Sequence, residues 1–193
     1  MKPATRSVAF YAWSSGRCSV AAVLLLVLFT GCLGQASAVQ QVGPPAPTSV
    51  ANTGRTIDGI SCDNGEHADY HIHAHLLMLD RGRYTLIPAG VGFGSNGCIY
   101  WLHTHDIDGI IHVEAPATFA PQLGYFFDIW GQPLSRARVA GLPVEHGTSM
   151  RVYVNRRVFT GDPRTIVLRD HQEIAIEIGP PFVLPPHVDW SGY

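Results

Sequence analysis

The chain has 193 residues, 46% hydrophobic and 15% charged, enough for one globular domain with a buried core plus appendages. A formal net charge of −2 with no block of like charges gives no sign of a nucleic-acid groove or a polybasic membrane surface. Histidine is the unusual residue, because seven of the ten fall between His67 and His112 and so need a local explanation.

Residues 1–34 read as a targeting segment. Lys2, Arg6 and Arg17 precede the short apolar run "AAVLLLVLF" and a small-residue end, the three parts of a secretory signal. Two processing routes fit. "ASA" at 36–38 is an A-x-A cleavage site, and "FTGC" at 29–32 resembles a lipobox that would lipidate Cys32, with Phe29 in place of the usual leucine. An uncleaved anchor helix is the third alternative, though the run is short for a membrane span. All three place the rest of the chain outside the cytoplasm, secreted or held at the cell envelope. Residues 35–56, rich in Pro, Ser and Gln, form a linker. A single β-rich domain is expected over 57–181, followed by a proline-rich tail at 182–193.

Beyond the targeting region only Cys62 and Cys98 remain. In an oxidising compartment two cysteines most simply make one disulfide. The rival is a pair of thiolate metal ligands, but the close C-x-x-C spacing of sulfur sites is absent.

In "DYHIHAHLLML" (69–79) the even positions Tyr70, Ile72, Ala74, Leu76 and Met78 are apolar, and the odd positions carry His71, His73 and His75. Strict period-2 alternation predicts a strand with its histidines on one face and its apolar side on a core. "DRGR" (80–83) predicts a turn into a strand at "YTLIP" (84–88), and "CIYWLHTHD" and "IIHVE" predict a further pair. Asp108-Gly109 suits a two-residue hairpin turn. With that loop His105 faces His112 and His103 faces Glu114, so four ligand-type side chains share a patch with Cβ atoms roughly 5 Å apart across the strands. Leu102, Thr104, Ile111 and Val113 fall on the opposite face, which suits burial. The inference depends on register, since a three-residue loop would send His112 and Glu114 to the other side. Asp108 is explained by the turn, and Asp106 points away from the patch.

"PQLGYFFDIWG" predicts one helix, with Pro121 at its first position, Gly131 just past its end and an apolar stripe of Leu123, Phe126, Phe127 and Trp130. "MRVYV" (150–154), "TIVL" (165–168) and "EIAIEI" (173–178) read as later strands. The expected class is α+β, a mainly antiparallel sheet with one short amphipathic helix packed on it.

Neutral imidazoles and a carboxylate suit a divalent transition metal, zinc or copper first and iron or manganese next. His103, His105, His112 and Glu114 are the candidate ligands. His71, His73 and His75 would supply further ligands, a second metal or supporting hydrogen bonds. The bland alternative is a polar sheet face whose histidines bond to carboxylates and water. Six histidines on two similarly patterned strand systems favour the metal. His67, His146, His171 and His187 receive no role; His171 falls in the turn "RDHQ" and His187 in the tail.

The set "HIHAHL" (71–76), "IPAGVG" (87–92), "CIYWLHTHDIDGIIHVE" (98–114) and "FFDIWG" (126–131) resembles an uncharacterised family of extracytoplasmic bacterial and archaeal proteins, over roughly residues 60–180. The resemblance implies a secreted or anchored domain and adds no reaction. Cupins also hold a metal with H-x-H, a glutamate and a later histidine. Here no glutamate follows His105 at the cupin spacing and the second cupin motif is missing, so the chemistry is similar without that fold.

Three functions are weighed. The first is an extracytoplasmic metal-binding protein that handles or buffers its ion. The second is a mononuclear metal enzyme of cupin-like or hydrolytic type, in which Glu114 or an open position activates water or dioxygen. No H-E-x-x-H or G-x-S-x-G supports the second. The third is an interaction module with pH-sensitive histidines and no metal. The expected partners are the metal ion and, through the N-terminal anchor, the membrane. No nucleic acid is expected, and protein partners are unknown.

Overall fold

A computed structural model of the chain describes residues 54–193. The targeting segment, Cys32 and nearly all of the linker lie outside the described residues. The elements in order are β1 (Cys62–Asp63), β2 (Tyr70–Asp80), β3 (Arg83–Thr85), β4 (Ile99–Tyr100), β5 (Leu102–His103) and β6 (Ile110–Ala115), then helix α1 (Leu123–Trp130). They continue with β7 (Leu134–Ser135), β8 (Arg138–Val139), β9 (Leu142–Pro143), β10 (Ser149–Val154), β11 (Arg157–Val158) and β12 (Gln172–Gly179). The architecture is α+β and mainly β.

The main sheet runs β11-β10-β12-β2-β6-β5, and β3 pairs with β2 beyond the end of β6. Every pairing is antiparallel except β12 with β2, which is parallel. That pair requires a long crossover, and here the crossover includes α1. The alternation in β2 settles which face is dry: Ala74, Leu76 and Met78 are fully buried, while His71, His73 and His75 lie on the wetter side. Ile111 and Val113 of β6, Ile174 and Ile176 of β12, and Leu102 continue the dry face. Against it packs α1, whose Leu123, Phe126, Phe127 and Trp130 are completely buried, together with Ile129.

The helix starts two residues later than the sequence suggests. Gln122 is the N-cap, in extended conformation, and it bridges to Val167. Pro121 therefore precedes the cap instead of occupying the first helical position, and its carbonyl accepts from Leu168 N–H at 2.7 Å. Gly131 closes the other end as expected: its N–H bonds Asp128 O and the Gln132 N–H bonds Phe127 O.

Several expected strands are changed by their neighbours. "TIVL" is not a strand; Pro163–Thr165 form a 3-10 turn capped by Asp162, and only Val167 makes a bridge. The strand at 84–88 shortens to β3, because the chain then leaves the β2 edge to lie along residues 102–104. "CIYWLHTHD" is broken into two short strands in separate sheets: β4 pairs with β1 and β5 pairs with β6. The Cys62 and Cys98 sulfurs lie at disulfide-bonding distance beside that β1–β4 pair, with Cα atoms 5.3 Å apart.

The largest correction concerns the hairpin. Asp108-Gly109 is not a two-residue turn; residues 104–109 form a longer connection, and β5 meets β6 with His103 opposite His112 and Leu102 opposite Val113. The register is displaced by two residues from the expected one, an even number, so the face assignment is preserved. The reason is local. The Asp108 side chain accepts from Ile110 N–H at 2.9 Å, and Gly109 O accepts from Leu76 N–H at 2.9 Å. The segment is thus tied to β2 instead of folding tightly on itself.

The tail 182–193 has no regular element but packs back on the sheet. Trp190 stacks on His171, Val188 N–H donates to Glu173 Oε1 at 3.0 Å, and the Tyr193 hydroxyl donates to Asp108 Oδ2 at 2.5 Å. His187 contacts Arg156 and lies 3.2 Å from Glu173. Among the described residues no helix is long and apolar enough to cross a membrane.

Candidate metal centre

Three adjacent strands build the site. On the wet face His73 of β2, His112 of β6 and His103 of β5 lie in one row, since His73 and His103 are both register partners of His112. The next row has His71 beside Glu114, whose N–H bonds Trp101 O at 2.8 Å. The central strand therefore supplies His112 and Glu114, with a histidine pair on either side. On one side His71 and His73 bring their Nε2 atoms to 3.0 Å; on the other His103 and His105 bring theirs to 3.2 Å.

Two groups of ligand atoms lie within 4.8 Å of one another: His103, His105, His112 and Glu114, and separately His71, His73 and His112. Zinc–nitrogen bonds of about 2.0–2.1 Å set tetrahedral ligand atoms about 3.3 Å apart, so each histidine pair already spans nearly one edge of a coordination polyhedron. His75 joins neither group. It donates to the Asp108 carbonyl at 3.1 Å and so helps hold the 104–109 connection in place. Asp106 is spent on Ile107 N–H.

The surroundings orient the rings. His103 is fully buried, and its Nδ1–H donates to Tyr100 O at 2.9 Å, which leaves the Nε2 lone pair aimed at the cluster. The "IPAGVG" stretch explains how His103 is held. Gly90 N–H bonds Thr104 O, Thr104 N–H bonds Val91 O, and the Thr104 hydroxyl donates to Pro88 O. Residues 102–104 are thereby clamped between this stretch and β6. Phe93, at its end, sets its ring edge-on to both His103 and His105, with centroids 5.7 Å away.

Glu66 was not legible in the sequence. It reaches the cluster from the loop before β2, with Oε1 3.3 Å from His105 Nε2 and 3.8 Å from His103 Nε2. Nothing in "DNGEHAD" marks it, because its approach depends on how that loop folds back. His67 is engaged elsewhere: it and the Trp101 Nε1–H both bond Asp63 Oδ2, at 2.8 and 2.7 Å.

Burial pushes the His112 ring down to about 3 and the His103 ring down to about 4, the neighbouring imidazoles adding to the effect in both. Burial likewise lowers His73, and burial followed by the nearby Glu66 carboxylate raises Glu114. Neutral imidazoles are the form that binds metal. His112 Nδ1 is buried with no hydrogen-bond partner among the described residues, 3.6 Å from Glu114 Oε1. A buried nitrogen of this kind costs stability unless something binds it.

The same shifts set a pH dependence. Unfolded, both rings titrate near 6.5, so below that value the unfolded chain takes up protons that the folded protein refuses. Their contribution is complete above about pH 6.5 and is lost as pH falls through about 4 and then 3. Thermal unfolding of the metal-free protein should show its midpoint falling across this range, and less steeply in His112→Leu. An equal slope in the variant would refute the assignment to His112.

Comparison of the chain with protein-family models, with curated proteins and with solved structures gives no match.

Proposed function

We propose that the chain is an extracytoplasmic transition-metal-binding protein whose histidine-rich sheet face holds zinc or copper for handling or buffering. The observation that carries this reading is the convergence of His103, His105, His112 and Glu114 to within 4.8 Å, three of them on the paired strands β5 and β6 and His105 just past β5. The fixed His103 tautomer and the unpartnered His112 nitrogen support it. The donor set, imidazole nitrogens with one carboxylate, suits borderline divalent ions such as zinc and copper(II), and copper(II) stands highest in the general affinity order. The cysteine pair at disulfide distance fits an oxidising compartment, in line with the signal-like residues 1–34 and with the resemblance to extracytoplasmic proteins.

The enzymatic alternative draws on Glu66. It is a half-exposed carboxylate 3.3 Å from His105, and were a metal held there it would be available as a general base. The metal-free interaction module fares less well. His103 and His112 are held neutral far below the physiological range, which removes them as sensors near pH 6–7.

The test uses the full chain produced without a polyhistidine tag, loaded in turn with zinc, copper, iron and manganese, then dialysed and analysed for metal. Retention of at least one equivalent of zinc or copper, reduced in His103→Ala/His105→Ala, is the expected result. No retained metal under any loading would sink the proposal.

A further inference from the structure

The histidines of β2 are more than support for the site on β5 and β6. Resting on the metal-binding reading above, we infer that the sheet face holds two transition-metal ions side by side, one between His71 and His73 and one between His103 and His105, with the Glu114 carboxylate bridging them.

The two histidine pairs are separate in space. One pair sits on β2, the other on His103 of β5 and His105 in the connection just past it; β2 and β5 flank β6, and neighbouring strands lie about 4.8 Å apart. Their ligand groups share only His112. One ion with bonds of about 2.0–2.1 Å cannot take both pairs. Each pair is already closed to bonding distance around its own point, at 3.0 and 3.2 Å between Nε2 atoms. Two neutral imidazoles can share one proton in an N–H···N bond, but that accounts for neither the buried His112 nitrogen nor the carboxylate set between the pairs.

Glu114 divides its oxygens between the two sides. Oε1 lies 3.1 Å from His71 Nε2, and Oε2 lies 3.9 Å from His103 Nε2. A carboxylate with one oxygen turned to each of two histidine pairs is placed to bridge two cations, and Glu114 is nearly buried at 5% exposure. Two-metal sites commonly keep their ions about 3.5–4 Å apart, a separation that one carboxylate can span. His112 has a single lone pair as a neutral ring, so it completes one ion, not both. Glu66 stands ready on the His103–His105 side at 3.3 Å from His105. Two carboxylates, Glu66 and Glu114, would offset half of the charge of two divalent cations.

The β2 position is preorganised like its neighbour. His73 N–H donates to Asp170 Oδ1 at 3.1 Å and His73 O accepts from His171 N–H at 2.7 Å, which fixes the backbone beneath the ring. Tyr193 from the tail lies with its ring centroid 5.2 Å from that of His73, walling one side of this position.

Equilibrium binding of zinc to the tag-free full chain, read by calorimetry and by metal content after gel filtration, should give two equivalents. His71→Ala/His73→Ala should bind one, and so should His103→Ala/His105→Ala. His71 is half exposed and the metal-free variants can be checked for an unchanged unfolding midpoint. Copper(II) loading gives an independent readout. At two equivalents the wild-type spectrum in electron paramagnetic resonance should be broadened by coupling between near neighbours, and the His71→Ala/His73→Ala spectrum should be that of an isolated ion. One equivalent in the wild type, or two retained by His71→Ala/His73→Ala, overturns the second ion and leaves the first reading intact. No binding by the wild type overturns both.

Discussion

Replacing His112 with alanine should weaken the tightest-bound zinc or copper by about 10²- to 10³-fold. A four-ligand zinc site contributes about 10–16 kcal/mol of binding, or roughly 2.5–4 kcal/mol per ligand, and each 1.4 kcal/mol is tenfold. His112 is the single residue common to both ligand groups, so its removal is felt whichever ion it serves. The metal-free protein should not suffer in proportion, because the lost ring carries a buried nitrogen without a hydrogen-bond partner among the described residues. Deleting an unsatisfied polar atom offsets part of the lost packing. His75→Ala is the internal control. Its ring lies on the same strand face as His71 and His73 but belongs to neither ligand group, so its loss removes no ligand and should lower metal affinity by no more than a few-fold, through the 104–109 connection that carries His105. Competition titration against a chromophoric chelator reads both variants. A His75→Ala loss as large as that of His112→Ala would show that position on the sheet, not membership of the cluster, governs the affinity.

That control also marks how far the sequence could be read. Alternation in "YHIHAHLLM" and "IIHVE" placed the histidines and Glu114 on one face, and the structure keeps that assignment because parity survives any even displacement of register. The displacement itself was not legible. A turn rule applied to Asp-Gly considers only the residues of the hairpin, whereas the connection is fixed by Leu76 and His75 of a strand some thirty residues earlier. Long-range contacts of this kind also decide that "TIVL" lies against Gln122 as a single bridge, and that β12 joins β2 in parallel. The stripe in α1 was legible, since an apolar face at helical spacing needs only a surface to cover, and the dry face of the sheet provides it. Glu66, Phe93 and Tyr193 were not, because each comes from an irregular segment whose path no periodicity encodes.

Gly92→Ala should be strongly damaging, and it shows how the "IPAGVG" stretch serves the metal cluster. Gly92 has φ of +85°, and a Cβ there would meet Leu102 O at 2.5 Å, His103 Cβ at 2.8 Å and His103 Cα at 3.1 Å. Two of these are backbone atoms of β5 and cannot swing aside as a side-chain tip would. Gly90, two residues earlier, has φ of +75° with nothing within 4 Å of the same virtual atom. Alanine at either position carries the left-handed penalty of about 1–2 kcal/mol. Only at Gly92 is a backbone collision added, so Gly90→Ala should cost about 1–2 kcal/mol and Gly92→Ala at least about 3 kcal/mol. Denaturant unfolding of the metal-free proteins measures the difference. The collision falls on the residue whose Nδ1–H must reach Tyr100 O, while Gly92 O itself accepts from Tyr100 N–H at 2.9 Å. Gly92→Ala should therefore also weaken metal held by His103 and His105 without emptying the position between His71 and His73. Equal stability of the two alanine variants would mean that the strand yields to the added methyl group. Equal metal affinity would mean that His103 recovers its orientation by some route other than the clamp formed by residues 88–92.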